Sequence, residues 1–191
     1  MSAPDTTPSA ARTRIWELSD PPQADVDGLA AALEVPPVIA GLLAQRGVTD
    51  AEQARAFLHP TLEHLNDPFT LTDLPEAVDR LQTALNRGER IAVHGDYDVD
   101  GVTSTVMLRR LLEMLGADVI HFIPDRLKDG YGLEPSGIDR LAAEKAAVVV
   151  SVDCGIRSHA AATRARELGI DLIITDHHEP ETDLPSALAI I

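Results

Sequence analysis

Three short stretches of the sequence gather side chains able to ligate divalent cations. His94-Gly95-Asp96-Tyr97-Asp98-Val99-Asp100-Gly101 brings three carboxylates and an imidazole within seven residues. Val148-Val149-Val150-Ser151-Val152-Asp153-Cys154-Gly155 ends an apolar run in a carboxylate, and Leu172-Ile173-Ile174-Thr175-Asp176-His177-His178-Glu179 ends another in an acid and two adjacent histidines. Carboxylates crowded into a partly buried crevice repel one another, and a divalent cation removes that conflict. An oxygen-rich set with some imidazole suits Mn²⁺ or Mg²⁺. Taken singly, each stretch has a plainer reading: a polar turn, an Asp capping the next helix, a solvated loop. The conjunction separates the readings, because independent accidents would not put all three directly after apolar runs.

Those runs imply the elements that position the motifs. Residues 90–94, 117–123, 147–152, 170–175 and 187–191 read as strands. Between them, residues 102–115, 135–146 and 158–168 read as helices. Val106, Leu108, Leu111, Leu112 and Leu115 are expected to face the core from the first of these. An earlier helix is capped by Asp73-Leu74-Pro75-Glu76 and ends at Gly88. Strands alternating with helices of about a dozen residues define an α/β fold: a mostly parallel sheet with helices on both faces. Sites in such sheets form outside the carboxyl ends of the strands, where the three motifs fall. Gly101 opens a helix whose N-terminal amides could face a phosphate.

The rest of the chain frames this unit. Residues 1–20 read as a disordered lead-in closed by Pro21-Pro22. Residues 21–72 read as a small helical segment, broken at Pro36-Pro37, with a capping-box pattern at Thr49-Asp50-Ala51-Glu52 and a stop near His59-Pro60. Residues 73–191 form the α/β domain. Asp and Glu number 31 against 16 Lys and Arg, a formal charge of −15, the opposite of the usual nucleic-acid-binding balance. Bound cations would offset part of it. Aromatics are only 3%, so the core rests on Ala, Val, Leu and Ile, as suits buried parallel strands. A single cysteine, Cys154, excludes an intrachain disulfide and a four-Cys zinc site. It reads as a small packing residue. With no apolar run near the N-terminus and no membrane-length span, a cytoplasmic protein is expected.

A fourth stretch, Ile123-Pro124-Asp125-Arg126-Leu127-Lys128-Asp129-Gly130-Tyr131-Gly132, also follows a strand. Arg126 and Lys128 are cations near the acidic motifs, and Arg suits a phosphate fork. Tyr131, between glycines, could stack on a base. The competing reading is an ordinary surface loop.

The motifs GDYDVDG, VDCG and TDHHE, in this order, resemble the DHH phosphoesterase superfamily, and PDRLKDGYGL looks like its single-strand-specific 5′→3′ DNA exonuclease branch. The resemblance covers residues 73–191 and, more weakly, the helical segment before them. It implies a two-metal hydrolase of phosphodiester bonds acting on single-stranded DNA in repair and recombination, in company with a single-strand-binding protein or a helicase. Cations about 3.5–4 Å apart would activate a water and clamp the phosphate, releasing a 5′-mononucleotide. By the same resemblance His94 and Asp98 would bind one cation and Asp100 and His177 the other. Asp153 would bridge them, Asp96 would be a ligand or support one, and His178 would contact the scissile phosphate. Asp176 would orient the histidines. Arg126, Lys128 and Tyr131 would bind substrate. The family carries a further metal-binding Asp beyond the point where Ile191 ends the sequence, so the resemblance implies a truncated chain, weak or inactive alone.

Other readings within hydrolases are a DHH enzyme for cyclic dinucleotides, short RNA or pyrophosphate, against which the PDRLKDGYGL stretch argues. A catalytically silent scaffold should have lost ligands that are present here. A haloacid-dehalogenase-type phosphatase would use Asp96-Tyr97-Asp98. It lacks the Thr or Val expected where Asp100 stands, and leaves His177-His178 without a role.

Overall fold

The computed structural model describes residues 20–127, 130 and 132–191. All but the last residue of the expected disordered lead-in lie outside them. The chain divides into two compact units, Met1–Leu65 and Asn66–Ile191.

The first unit contains α1 (Gln23–Leu33), α2 (Pro37–Gln45) and α3 (Ala51–Leu58) around buried Val26, Leu29, Ala40, Leu43 and Ala54. Pro36 and Pro37 separate α1 from α2, because proline fits a first helical turn but ends the helix before it. The cap of α3 is Asp50 rather than Thr49. Its Oδ1 accepts from the Glu52 and Gln53 amides at 2.9 Å each. A short 3₁₀ turn, Leu62–His64, follows.

The second unit is a five-stranded, wholly parallel sheet: β1 (Ile91–Gly95), β2 (Val119–Phe122), β3 (Val148–Val152), β4 (Asp171–Thr175) and β5 (Ala189–Ile190), in the order β2-β1-β3-β4-β5. The helices are α4 (Leu74–Arg87), α5 (Val99–Met114), α6 (Pro135–Ala143) and α7 (His159–Glu167). Side chains alternate across each strand. Ile91, Val93, Val148, Val150 and Ile173 pack with α4 and α5 residues on one face; Ala92, Val149, Leu172 and Ile174 pack with α6 and α7 residues on the other. Both faces are covered, as expected, and burying each Val or Ile contributes about 1.5–3 kcal/mol.

Two local expectations are corrected. Asp73 does not cap α4 with its side chain. It adopts φ 60°, and its Oδ2 accepts from the Ile190 amide at 3.1 Å, tying the start of α4 to the edge strand. On α5, Val106, Leu111 and Leu115 are 52–60% exposed instead of buried. The sheet-facing side of this helix is Gly101, Thr105, Leu108 and Leu112, where two small residues let the helix sit close. The helix carries more apolar residues than the sheet has positions to cover.

Neighbouring strands β1 and β3 send their chains in opposite directions across the sheet. The crevice this opens at their carboxyl ends is where open α/β sheets hold ligands. Among the described residues no helix is long and apolar enough to cross a membrane.

Candidate metal centre

The site begins where β1 runs into α5. Asp98 is the N-cap, and its Oδ1 accepts from the amides of Asp100 (3.0 Å) and Gly101 (3.2 Å). The helix therefore starts three residues earlier than its apolar period suggests. The Asp98 carboxylate takes up the first-turn amides that the sequence offered to a phosphate. Close approach explains both glycines. A Cβ on Gly101 would lie 2.5 Å from the Asp96 amide nitrogen and carbonyl oxygen, and one on Gly95 would collide with Thr105 Oγ1 and the Gly101 carbonyl.

Asp96 lies beneath this turn, fully buried. Its Oδ1 accepts from the Tyr97 amide at 2.7 Å, but its buried Oδ2 has no hydrogen-bond partner. Leaving a buried carboxylate oxygen unpaired is costly, and a cation would satisfy it. From β3 comes Asp153, 8% exposed, with φ 61° and its amide donating to the Thr175 carbonyl at 2.9 Å. Burial, then the neighbouring Asp98 charge, pushes the Asp153 carboxyl above its ordinary range. Asp98 moves the other way, held down by the Gly101 amide, by the Asp100 amide and by a hydrogen bond with Asp153. Two carboxyl groups with opposed shifts share a proton, and a divalent cation would offset the charge they crowd together.

From β4 come Asp176, His177 and His178. His177 Nε2 lies 3.0 Å from Asp153 Oδ1. The Asp176 side chain, 2% exposed, accepts from the Ile156 amide (3.0 Å), the His178 amide (3.1 Å) and His178 Nδ1 (2.7 Å). Burial alone would raise the Asp176 carboxyl, but these bonds outweigh it and hold it below its ordinary value. In turn the Asp176 contact raises His178. With Nδ1 so engaged, Nε2 is the ring nitrogen left for a metal or a phosphate.

Two groups of donor atoms result, each with all members within 4.8 Å of one another: Asp96, Asp98 and Asp153, and Asp153, His177 and His178. Asp153 belongs to both. The donor chemistry, the orphaned Asp96 oxygen and the opposed carboxyl shifts all fit divalent cations. Beside them opens a cleft of about 550 Å³ lined by Asp100, Thr103, Ser104, Asp153, Asp176 and His177.

His94 is not drawn into either group. It is 1% exposed, its Nδ1 faces Cys154 Sγ at 3.7 Å, and its ring lies edge-on to Phe122. A Cβ on Gly137 would stand 3.1 Å from its Nε2, so α6 covers that nitrogen. Burial pushes its pKa down to about 4 and pushes the Cys154 thiol up. Asp100 lines the cleft without joining a group. Arg126 stacks over Tyr97, 5.2 Å from the ring centroid, which brings it beside the acidic turn. Lys128 and Tyr131 lie outside the described residues. Thr103, Ser104 and the Arg126–Tyr97 contact were not anticipated. Thr103 and Ser104 had a legible signal, lying about a turn and a half beyond Asp98 at the start of a helix.

The DHH family, N-terminal domain, matches residues 90–191, more than half of the chain. The chain belongs to the DHH family. This DHH chain is 42% identical over 176 residues to the single-stranded-DNA-specific exonuclease RecJ of Bacillus subtilis (strain 168), covering 92% of this chain and 22% of that protein. It is 41% identical over 159 residues to RecJ of Escherichia coli (strain K12), covering 83% of this chain and 27% of that protein. The DHH fold aligns with the crystal structure of RecJ in complex with Mn²⁺ from Thermus thermophilus at a TM-score of 0.68 and 39% identity, over 90% of this chain and 24% of that one. The chain thus spans about a quarter of the length of the curated relatives it matches.

Proposed function

We propose that this chain holds two divalent cations, Mn²⁺ or Mg²⁺, for 5′→3′ exonucleolytic hydrolysis of single-stranded DNA. The observation that carries the reading is Asp153, a single buried carboxylate common to both donor groups. One cation falls to Asp96, Asp98 and Asp153, the other to Asp153 and His177, with the free nitrogen of His178 beside it. The orphaned Asp96 oxygen supports Asp96 as partner of Asp98 there, while His94 backs the site from the core. The substrate is supported by likeness to RecJ exonucleases over nearly the whole chain, and the cation by the Mn²⁺ in the Thermus thermophilus structure. Cations bound here would lower the pKa of a water and neutralise charge on the attacked phosphate. Asp176 fixes the tautomer and aim of His178, which then contacts the scissile phosphate. Asp100, Thr103 and Ser104 border the path of the strand, and Arg126, steadied on Tyr97, contacts a strand phosphate. A substrate of this kind supports a cytoplasmic setting and company with a helicase or a single-strand-binding protein.

Mn²⁺ titration by calorimetry tests the centre: two sites are expected in the wild type, and both should weaken in Asp153→Asn. Unchanged binding in that variant would overturn the shared-carboxylate reading. Turnover of 5′-phosphorylated single strands is compared with that of cyclic dinucleotides and pyrophosphate, using Asp153→Asn as the blank. Preference for either of the latter would overturn the substrate.

A further inference from the structure

The loop bearing His177 and His178 leaves β4 with few tethers. The His177 side chain is 72% exposed, and its ring contacts are His178 and the Asp153 oxygen it would share with a cation. Apart from the Asp176 amide, which donates to the Ile191 carbonyl at 3.1 Å, what holds the loop comes from the neighbouring β3–α7 loop. The Ile156 amide donates to Asp176 Oδ2 at its front. At its back, Arg157 Nε donates to the Glu179 carbonyl at 2.7 Å. These two bonds, from consecutive residues, bracket Asp176-His177-His178-Glu179, and they start three and four residues beyond Asp153 on the same loop. Arg157 is itself exposed, so this bond rather than packing decides its side-chain direction.

We propose that Arg157 is a positioning residue for the metal centre: its Nε–H pins the Glu179 carbonyl and so fixes His177 and His178 relative to Asp153. The inference rests on the cation reading of the centre. It predicts a sign opposite to simple electrostatics. A guanidinium near a cation site repels the cation, so as a mere charge its removal would tighten binding. As a tether its removal loosens the histidines and weakens binding, as loss of such supporting partners does by about 10–100-fold.

Two substitutions of similar length separate these effects. In Arg157→Gln the amide nitrogen occupies the place of Nε along the chain, keeping a donor without the charge. In Arg157→Met a methyl stands there, with neither. Expected results are Mn²⁺ affinity within about threefold of wild type for Gln and about tenfold weaker for Met. Amide hydrogen exchange of the metal-free protein should be faster across residues 177–179 in Met alone. Equal or tighter Mn²⁺ binding by Arg157→Met, or equal loss in both variants, would overturn the proposal. A wild type that binds no Mn²⁺ would overturn the cation reading as well. Unchanged exchange in Arg157→Met would remove the tether whatever the metal does.

Discussion

Asp176 Oδ1 lies 2.7 Å from His178 Nδ1, and the carboxylate in this contact is buried while the imidazole is half exposed. The pair is therefore held from inside the protein, with its acidic member fixed by two amides and its basic member reaching toward solvent.

The pH behaviour of this pair follows from the two shifts. Asp176 is depressed in the folded state, so its contribution to stability is present above the unfolded value and lost as pH falls through the folded one. His178 is raised, so its contribution is complete below 6.5 and lost as pH rises through its folded pKa. An NMR titration of the metal-free protein should give a His178 midpoint above 6.5, falling toward that value in Asp176→Asn. The same variant turns an amide NH₂ toward groups that donate, and chemical denaturation should register a loss of about 1–3 kcal/mol. An unmoved midpoint would sever the pair.

Asp153 carries the opposite sign. Its carboxyl is raised, so its charge strains the fold above the unfolded value, and the strain is relieved as pH falls through the folded pKa. Asn tolerates the positive φ at this position. Metal-free Asp153→Asn should therefore melt no lower than wild type at pH 7. Mn²⁺ at a hundred times the wild-type Kd should raise the wild-type melting point, by about 2.7 kcal/mol of added stability, and raise that of the variant less. Scanning calorimetry with and without Mn²⁺ reads both.

Asp98 caps α5, and in the proposed centre it also ligates a cation; the two roles can be separated. Asp98→Ser retains a side-chain oxygen for the first-turn amides, whereas Asp98→Ala does not. The urea midpoint should fall in Ala and stay close to wild type in Ser. Mn²⁺ affinity should fall in both. Full affinity in Asp98→Ser would confine this residue to capping.

Gly101→Ala would set a methyl 2.5 Å from the backbone of Asp96, where no flexible side chain can give way. Either the helix start or the Asp96 turn must move. About 3 kcal/mol of destabilisation is expected by urea denaturation, in the upper range for overpacking. Mn²⁺ affinity should fall with it, because Asp96 and Asp98 flank the displaced backbone.

The sheet was legible because the apolar runs are short and mostly separated by helices, and three of them lead directly into the turns where the donor residues gather. Helix boundaries and facing were less so. On α5 a count of apolar residues pointed Val106, Leu111 and Leu115 inward, whereas the tight fit at Gly101 and Thr105 selects the other side. Small residues that permit close packing give no hydrophobic signal. At the site, spacing picked out the turns rich in possible donors but not which donors lie together. His94 and Asp96 stand two apart on a strand end, and only the cover from α6 and the Asp96 bond to Tyr97 distinguish them. Asp73 looked like a cap for the same reason: what it bonds lies 117 residues away, beyond any local pattern.

The outward side of α5 has a consequence for how the chain behaves in solution. Val106, Met107, Leu111, Met114 and Leu115 form an apolar strip, 52–81% exposed, on a molecule of formal charge −15. Like-charge repulsion keeps such molecules apart in dilute buffer, while the strip rewards contact at short range. Raising salt to about 1 M shortens the reach of the repulsion to ~3 Å and leaves the apolar attraction intact. Colloidal stability of this chain is therefore set by ionic strength, and it is greatest where little salt screens its acidic surface.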